Sequence, residues 1–170
     1  MRESPYLKGK DNYLDVMRKM AAFRDFNDSH LKTILSLSKI RAYDKGEHIL
    51  DEGEYGTWMF FIVAGKVRIE KDGKKISTLG HPGDVFGEMG VIDGSERSAT
   101  VLADADGTMC LAVDASFLDR MEETDRTACY LILYQLFSRI LADRLRATVT
   151  ELAEAKDKMA TLRRKIVDRD

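Results

Sequence analysis

Hydrophobic positions change their period twice along the chain. Over residues 11–38 they recur at helical spacing, at Leu14, Met17, Ala21 and Phe23 and again at Leu31, Ile34, Leu35 and Leu37. Asn27-Asp28-Ser29 interrupts this pattern with side-chain oxygens that can accept a helix's first free N–H groups. It predicts a break, followed by an N-cap for the second of two short helices. Over residues 40–113 the pattern becomes short apolar runs separated by Gly and Asp, the mark of strands. The longest covers residues 58–70 and is broken at Ala64-Gly65, and Lys71-Asp72-Gly73-Lys74 carries the Asp-Gly pair of a tight hairpin. Residues 97–103 and 108–113 predict two further strands, joined by Asp104-Ala105-Asp106-Gly107. Many short strands with Gly-rich turns fit a sandwich or a jelly-roll barrel, and period alone does not separate the two.

From Asp114 onward the period is helical again. Asp114 is placed to cap a helix over residues 115–121, and Thr124 or Asp125 to open a run free of Gly and Pro that reaches about Val167. In that run Leu131, Leu145, Leu152, Met159 and Ile166 fall on one seven-residue register, interrupted by Ser138. Tyr134, Leu141, Thr148, Ala155 and Leu162 fall on its companion. Up to about Leu141 a helix lying on the strand-rich part accounts for the stripe. Beyond Leu145, at ~1.5 Å per residue, the helix outruns one small domain, and a second copy of itself in a parallel coiled-coil homodimer is the simplest partner. The organisation expected is therefore N-terminal helices over 1–39, a strand-rich core over 40–113, and a hinge with a long lid or dimerisation helix over 114–170.

Charge sharpens the picture. Residues 41–129 hold 10 Lys+Arg against 18 Asp+Glu, a net of −8, while both flanks are net positive. An acidic centre is a poor general binder of nucleic acid, yet it can hold an anion where the pocket itself is positive. Two cysteines, Cys110 and Cys129, are too few for a disulfide framework and point to a reducing, cytoplasmic setting. The opening Met1-Arg2-Glu3-Ser4-Pro5 lacks the apolar stretch of a signal peptide, and no apolar run is long enough to span a membrane. His30, His48 and His81 lie in three unlike regions with no His-x-His, so no metal site and no catalytic residue is expected.

The candidate chemistry lies in residues 83–101. Phe86-Gly87-Glu88-Met89-Gly90 is a glycine turn opening a short helix, whose freed N–H groups suit phosphate oxygens. Arg97 supplies a planar cation for the same phosphate. Glu88 accepts hydrogen bonds only, which suits a sugar hydroxyl. Ser98 and Ala99 are small enough to let a ligand approach the backbone, and Ser98 adds a donor.

Phe86-Gly87-Glu88 followed by Arg97-Ser98-Ala99 resembles the phosphate-binding cassette of cyclic nucleotide-binding domains. These are the sensor modules of the catabolite activator protein, protein kinase A regulatory subunits and cyclic-nucleotide-gated channels. The likeness extends to Lys45-Gly46-Glu47-His48-Ile49-Leu50, to Glu52-Gly53-Glu54 and to residues 60–67, covering roughly residues 20–150 in the family's order. It implies an α+β protein built on an eight-stranded antiparallel jelly-roll barrel with short N-terminal helices and a long C-terminal helix. It also implies a non-enzymatic receptor with no cofactor beyond its ligand, cAMP before cGMP. In the family a threonine after the arginine tends to accompany cGMP and an alanine cAMP, and Ser98 lies between.

Residues 142–148 resemble the catabolite activator's dimer helix, whose threonine bonds the adenine amino group. This places Thr148 as a base contact, whereas the neighbouring serine of that branch is Val149 here. The family's switch implies inward movement of the cassette, relayed to a hinge near Phe117-Leu118 and on to the C-terminal helix. The output would pass to an unidentified downstream protein, without direct DNA binding or membrane attachment. The alternatives are a coiled-coil scaffold with a vestigial pocket, and the sensor part of a catabolite-activator-type transcriptional regulator without its DNA-binding domain.

Overall fold

The structure, a computed structural model, describes residues 1–24, 26–116 and 123–167. Two compact units are present, Met1–Leu136 and Phe137–Asp170.

The N-terminal part of the first unit is helical, as the period predicts. A 3₁₀ turn, Asp11–Tyr13, leads into α1 (Leu14–Arg18). A second 3₁₀ turn, Ala21–Phe23, precedes α2 (Asp28–Ser36). Asn27 is the N-cap of α2, its Oδ1 accepting the His30 N–H at 2.9 Å. The stripe Leu14, Met17, Met20, Phe23, Leu31, Ile34 and Leu35 is buried.

Nine strands follow this logic among the described residues: β1 (Arg2–Glu3), β2 (Ser38–Tyr43), β3 (His48–Leu50), β4 (Trp58–Ala64), β5 (Val67–Lys71), β6 (Lys74–Leu79), β7 (Val85–Phe86), β8 (Thr100–Ala103) and β9 (Thr108–Asp114). They form two antiparallel sheets, ordered β1-β2-β9-β4-β7 and β3-β8-β5-β6. The expected eight-stranded closed barrel is thus corrected to a sandwich of two separate sheets, with β1 added along β2 as a short further strand. Closure needs continuous pairing around the ring, and here the pairing stops at β7 on one sheet and β6 on the other.

The core between the sheets is built from Tyr43, Phe60, Ile62, Val67, Phe86 and Val101, with Ile49, Leu50 and Trp58 packed at its margin. β4 is buried on both faces. Phe60 and Ile62 enter the sandwich, while the Phe61 ring meets Phe23 at 4.7 Å. A central strand covered twice reads as a continuous apolar run, which is why Met59–Ile62 shows no alternation. At the β5–β6 hairpin Asp72 and Gly73 both adopt positive φ, 49° and 70°, the type I′ geometry that Asp-Gly favours.

Asp114 ends β9 almost fully buried and gathers three partners. Its Oδ1 accepts from the Ser116 N–H at 3.0 Å and from Thr57 Oγ1 at 3.2 Å, and its Oδ2 accepts from the Tyr6 hydroxyl at 2.6 Å. The Ser116 bond is the capping contact expected of Asp114; the rest of the predicted 115–121 helix, and the hinge at Phe117-Leu118, lie outside the described residues.

The last helix, α4 (Glu123–Val167), takes up the whole Gly- and Pro-free run. Thr124 and Asp125 are both helical within it, so neither is its cap. In the first unit it buries Cys129, Ile132, Leu133 and Leu136. Within the second unit Leu141, Leu145, Val149, Leu152 and Met159 are all exposed.

Candidate functional site: a buried arginine among glycines

The site is assembled from the β7–α3 turn, the β3–β4 loop with the start of β4, and the segment that leads into β8. α3 (Glu88–Asp93) opens at Gly87, whose φ of +77° is the left-handed conformation that a side chain resists. A Cβ there would also stand 2.9 Å from Leu50 Cδ1. The chain can therefore turn into α3 tightly only with glycine at this point, and no side chain caps the helix's first amides.

Arg97 is not on a strand, as the sequence predicts, but three residues before β8 begins. Its backbone is pinned to the β3–β4 loop by two bonds, Gly53 N–H to Arg97 O at 2.9 Å and Arg97 N–H to Glu54 O at 2.8 Å. Its side chain turns inward and is 5% exposed. Nη1 donates to the Gly87 carbonyl, and Nη2 donates to the Trp58 carbonyl at 2.7 Å. Three glycines give it room. A Cβ on Gly56 would lie 2.9 Å from Nη2, and one on Gly90 or Gly87 would lie 3.2 or 3.4 Å from Nη1.

A buried cation needs compensation. Burial pushes the Arg97 pKa below its ordinary value, and the negative charge of Glu88 opposes that shift. Glu88 itself is fully buried. The guanidinium stays charged at any physiological pH, so the site holds a fixed positive group with the buried Glu88 side chain close enough to act on it.

The other expected residues fall in different places. Phe86 is core, stacked on Phe60 with centroids 5.1 Å apart. Met89 is exposed on α3, Ser98 is exposed, and Ala99 is half-buried. Thr148 is exposed on α4 in the second unit.

Beside Arg97 lies a cleft of about 150 Å³. It is lined by Arg41, Trp58 and Phe60 of the five-stranded sheet, by Leu50 of β3, and by Asp51 and Glu54 of the loop that follows. The Arg41 guanidinium sits 3.9 Å from the centre of the Trp58 ring, and its Nε donates to Glu3 Oε2 at 2.6 Å. Sequence reading gives Arg41, Gly56 and Trp58 no place in the site and names Glu54 only within the Glu52-Gly53-Glu54 likeness. They lie up to 56 positions from Arg97 and carry no spacing that links them to it. The weak signal available is Gly53-Glu54-Tyr55-Gly56, two glycines in a loop that has to pass close to another chain segment.

A two-sheet sandwich with a glycine-framed, buried arginine and an adjoining carboxylate defines a module suited to a small anionic ligand bearing hydroxyls. Residues 40–125, half of the chain, match the family model of the cyclic nucleotide-binding domain, and the chain belongs to that family. It is 34% identical over 113 residues to a cGMP-dependent protein kinase of Plasmodium berghei, a match covering 66% of this chain and 13% of the kinase. Among solved structures it resembles a cyclic nucleotide-binding domain from Methylobacillus flagellatus, with a TM-score of 0.72, 22% identity, and 88% and 86% of the two chains covered. It also resembles the Thermus thermophilus catabolite activator protein, with a TM-score of 0.59, 29% identity, and 77% and 61% covered. The chain thus spans about an eighth of the length of that kinase.

Proposed function

We propose that the chain is a non-enzymatic receptor for a cyclic purine nucleotide. The observation that carries this reading is the Arg97 guanidinium, buried among Gly56, Gly87 and Gly90 beside Glu88. One fixed cation and a few turn amides match the single charge of a cyclic diester, while Glu88 opposes the second charge of a linear 5′-phosphate. The cyclic phosphate is read by Arg97 and the amides of Met89 and Gly90, and the ribose hydroxyl by Glu88. Ser98 and Ala99 allow close approach. On Ser98 and the catabolite-activator-like stretch around Thr148 the sequence ranks cAMP first, whereas the Plasmodium berghei relative is named for cGMP.

Ligand binding acts by differential affinity for two arrangements of the cassette, with α4 as the output element. The exposed register of Leu145, Leu152 and Met159 supports a second copy of the chain as the partner of that helix. A cytoplasmic setting fits the two free cysteines, Cys110 and Cys129.

Calorimetric titration with cAMP, cGMP and 5′-AMP, repeated on Arg97→Ala, tests the reading. Saturable heat from a cyclic nucleotide, absent with 5′-AMP and lost in the variant, is the expected result. A folded, nucleotide-free protein giving no heat with either cyclic nucleotide overturns it in favour of the scaffold alternative.

A further inference from the structure

Gly56, Thr57 and Trp58 are consecutive, and the first and third serve Arg97. Gly56 leaves the space that Nη2 fills, and the Trp58 carbonyl accepts from Nη2 at 2.7 Å. Thr57, between them, is bonded to a different part of the chain. Its hydroxyl donates to Asp114 Oδ1 at 3.2 Å, and its carbonyl accepts the Ala115 N–H at 3.0 Å. Side chain and backbone of one residue thus grip the two successive residues at which the chain leaves β9.

Peptide planes are rigid, so only the backbone torsions of Thr57 and Trp58 separate that grip from the carbonyl that holds Arg97. Trp58 is tied to the same place through its ring. Tyr6 stacks with the indole at 6.4 Å and donates its hydroxyl to Asp114 Oδ2 at 2.6 Å. Asp114 is therefore the common anchor of both arms. It is 3% exposed, so little water competes for its oxygens. The same carboxylate accepts from the Ser116 N–H at 3.0 Å and from the Ser116 hydroxyl at 2.6 Å.

The other end of this path is the cation itself. Arg97 bridges two carbonyls, Gly87 on the turn into α3 and Trp58 at the start of β4. Bonds from a charged donor are among the stronger ones, so an anion that draws the guanidinium draws on both carbonyls. At Trp58 the pull reaches Thr57 one peptide away, and through Thr57 it reaches Asp114 and Ala115.

We infer that Thr57 is a positioning residue of the ligand site. It sets the Arg97 guanidinium through the Trp58 carbonyl, and it couples an occupied site to the chain leaving β9 through Asp114 and Ala115. This rests on the receptor reading above and adds to it a route of communication through β4 rather than through the turn into α3.

The test pairs Thr57→Val, which keeps the branched shape and removes the hydroxyl, with Thr57→Ser, which keeps the hydroxyl. Thr57 is itself exposed, so neither change opens a cavity in the core. Wild type and both variants are titrated calorimetrically with cAMP and with cGMP, and their melting temperatures are recorded. The Ala115 and Ser116 amide signals are followed by nuclear magnetic resonance with and without saturating nucleotide. Wild type should show a ligand-dependent shift of both signals. Thr57→Val should bind about three- to tenfold more weakly and lose most of the Ser116 shift, and Thr57→Ser should restore both. A purely structural role would lower the melting temperature and leave the Ser116 response of the saturated protein intact. Wild-type affinity or a full Ser116 shift in Thr57→Val overturns the inference, as does Thr57→Ser behaving like Thr57→Val. A wild type that binds without a shift at either amide overturns it too and leaves the receptor reading standing. No binding of either nucleotide by wild type overturns both together.

Discussion

The Trp58 carbonyl accepts a hydrogen bond from Arg97 Nη2 at 2.7 Å, so the backbone of the chain's single tryptophan holds the site's buried cation. The indole of the same residue carries Arg41 on its face and stacks with Tyr6 at 6.4 Å. A change in how Arg97 is bonded would therefore act on the backbone of a residue whose side chain is an optical reporter. Adding a cyclic nucleotide that binds at Arg97 is expected to give a saturable change in intrinsic emission, with the same midpoint as the calorimetric titration. Emission that stays flat while heat is released would show that the Trp58 environment does not respond to the site.

Arg97 also has a structural duty. Truncation to alanine leaves the Gly87 and Trp58 carbonyls without their partner in a buried place, at a cost of about 1–3 kcal/mol. Urea unfolding of Arg97→Ala should remain a single cooperative transition at a lower midpoint. Arg97→Lys, which can still satisfy one carbonyl, should fall between the variant and wild type. A variant as stable as wild type would mean that water or a rearranged side chain replaces the guanidinium.

Gly87 is the tightest point of the turn. Alanine there is forced into a left-handed backbone at about 1–2 kcal/mol and brought within 2.9 Å of Leu50 Cδ1. Both a lower melting temperature and weaker ligand binding are expected, since α3 would be displaced with its amides. Unchanged binding in Gly87→Ala would separate the turn from the ligand site.

Asp114 gives the fold a pH signature. Burial raises the pKa of its carboxyl, but hydrogen bonds from Ser116, Tyr6 and Thr57 outweigh that and hold it below its ordinary value. The unfolded chain then takes up this proton first, at about pH 4. The stability contributed by Asp114 is complete above that range and is lost as pH falls through the depressed native value. Asp114→Asn should be less stable at neutral pH and should lose stability less steeply on acidification. Identical acid limbs in thermal melts of the two proteins would assign the effect to other carboxylates.

Leu145, Leu152 and Met159 stand exposed one heptad apart on α4. Sedimentation equilibrium should find a dimer that dissociates in the double variant Leu145→Lys, Leu152→Lys, with the melting of the first unit little changed. A wild-type monomer at high micromolar concentration would refute the seam.

What the sequence reveals here depends on how local the cause is. The Asn27 cap, the Asp72-Gly73 hairpin and the Gly87–Glu88 turn are each decided within a few residues, so their chemistry is legible without a structure. Arg97 is legible as a residue but not in its pose, because the Trp58 carbonyl at the start of β4 and the Gly56 gap in the loop before it lie dozens of positions away. Arg41 reaches the cleft only through the pairing of β2 with β9 and of β9 with β4, and no pattern within β2 announces that. Closure of the barrel is a matter of which strands pair at the ends, information that alternation along a single strand does not carry. Thr124 and Asp125 are helical rather than caps, because a capping side chain before a run that is helix-forming throughout does not by itself stop the helix from continuing past it.

The rims of the sandwich decide how the protein behaves in a crowd. One outer edge is lined by Arg2–Glu3, a two-residue strand of opposite charges whose Glu3 is tied back to Lys39 and Arg41. An outer edge of the other sheet is β6, almost wholly exposed and opened by Lys74-Lys75. Short charged strands and lysines are what deter a stray β-strand from adding to a sheet. An N-terminal fusion that pulled Arg2–Glu3 away, or a β6 stripped of its lysines, would turn a self-contained sandwich into a template for its own aggregation.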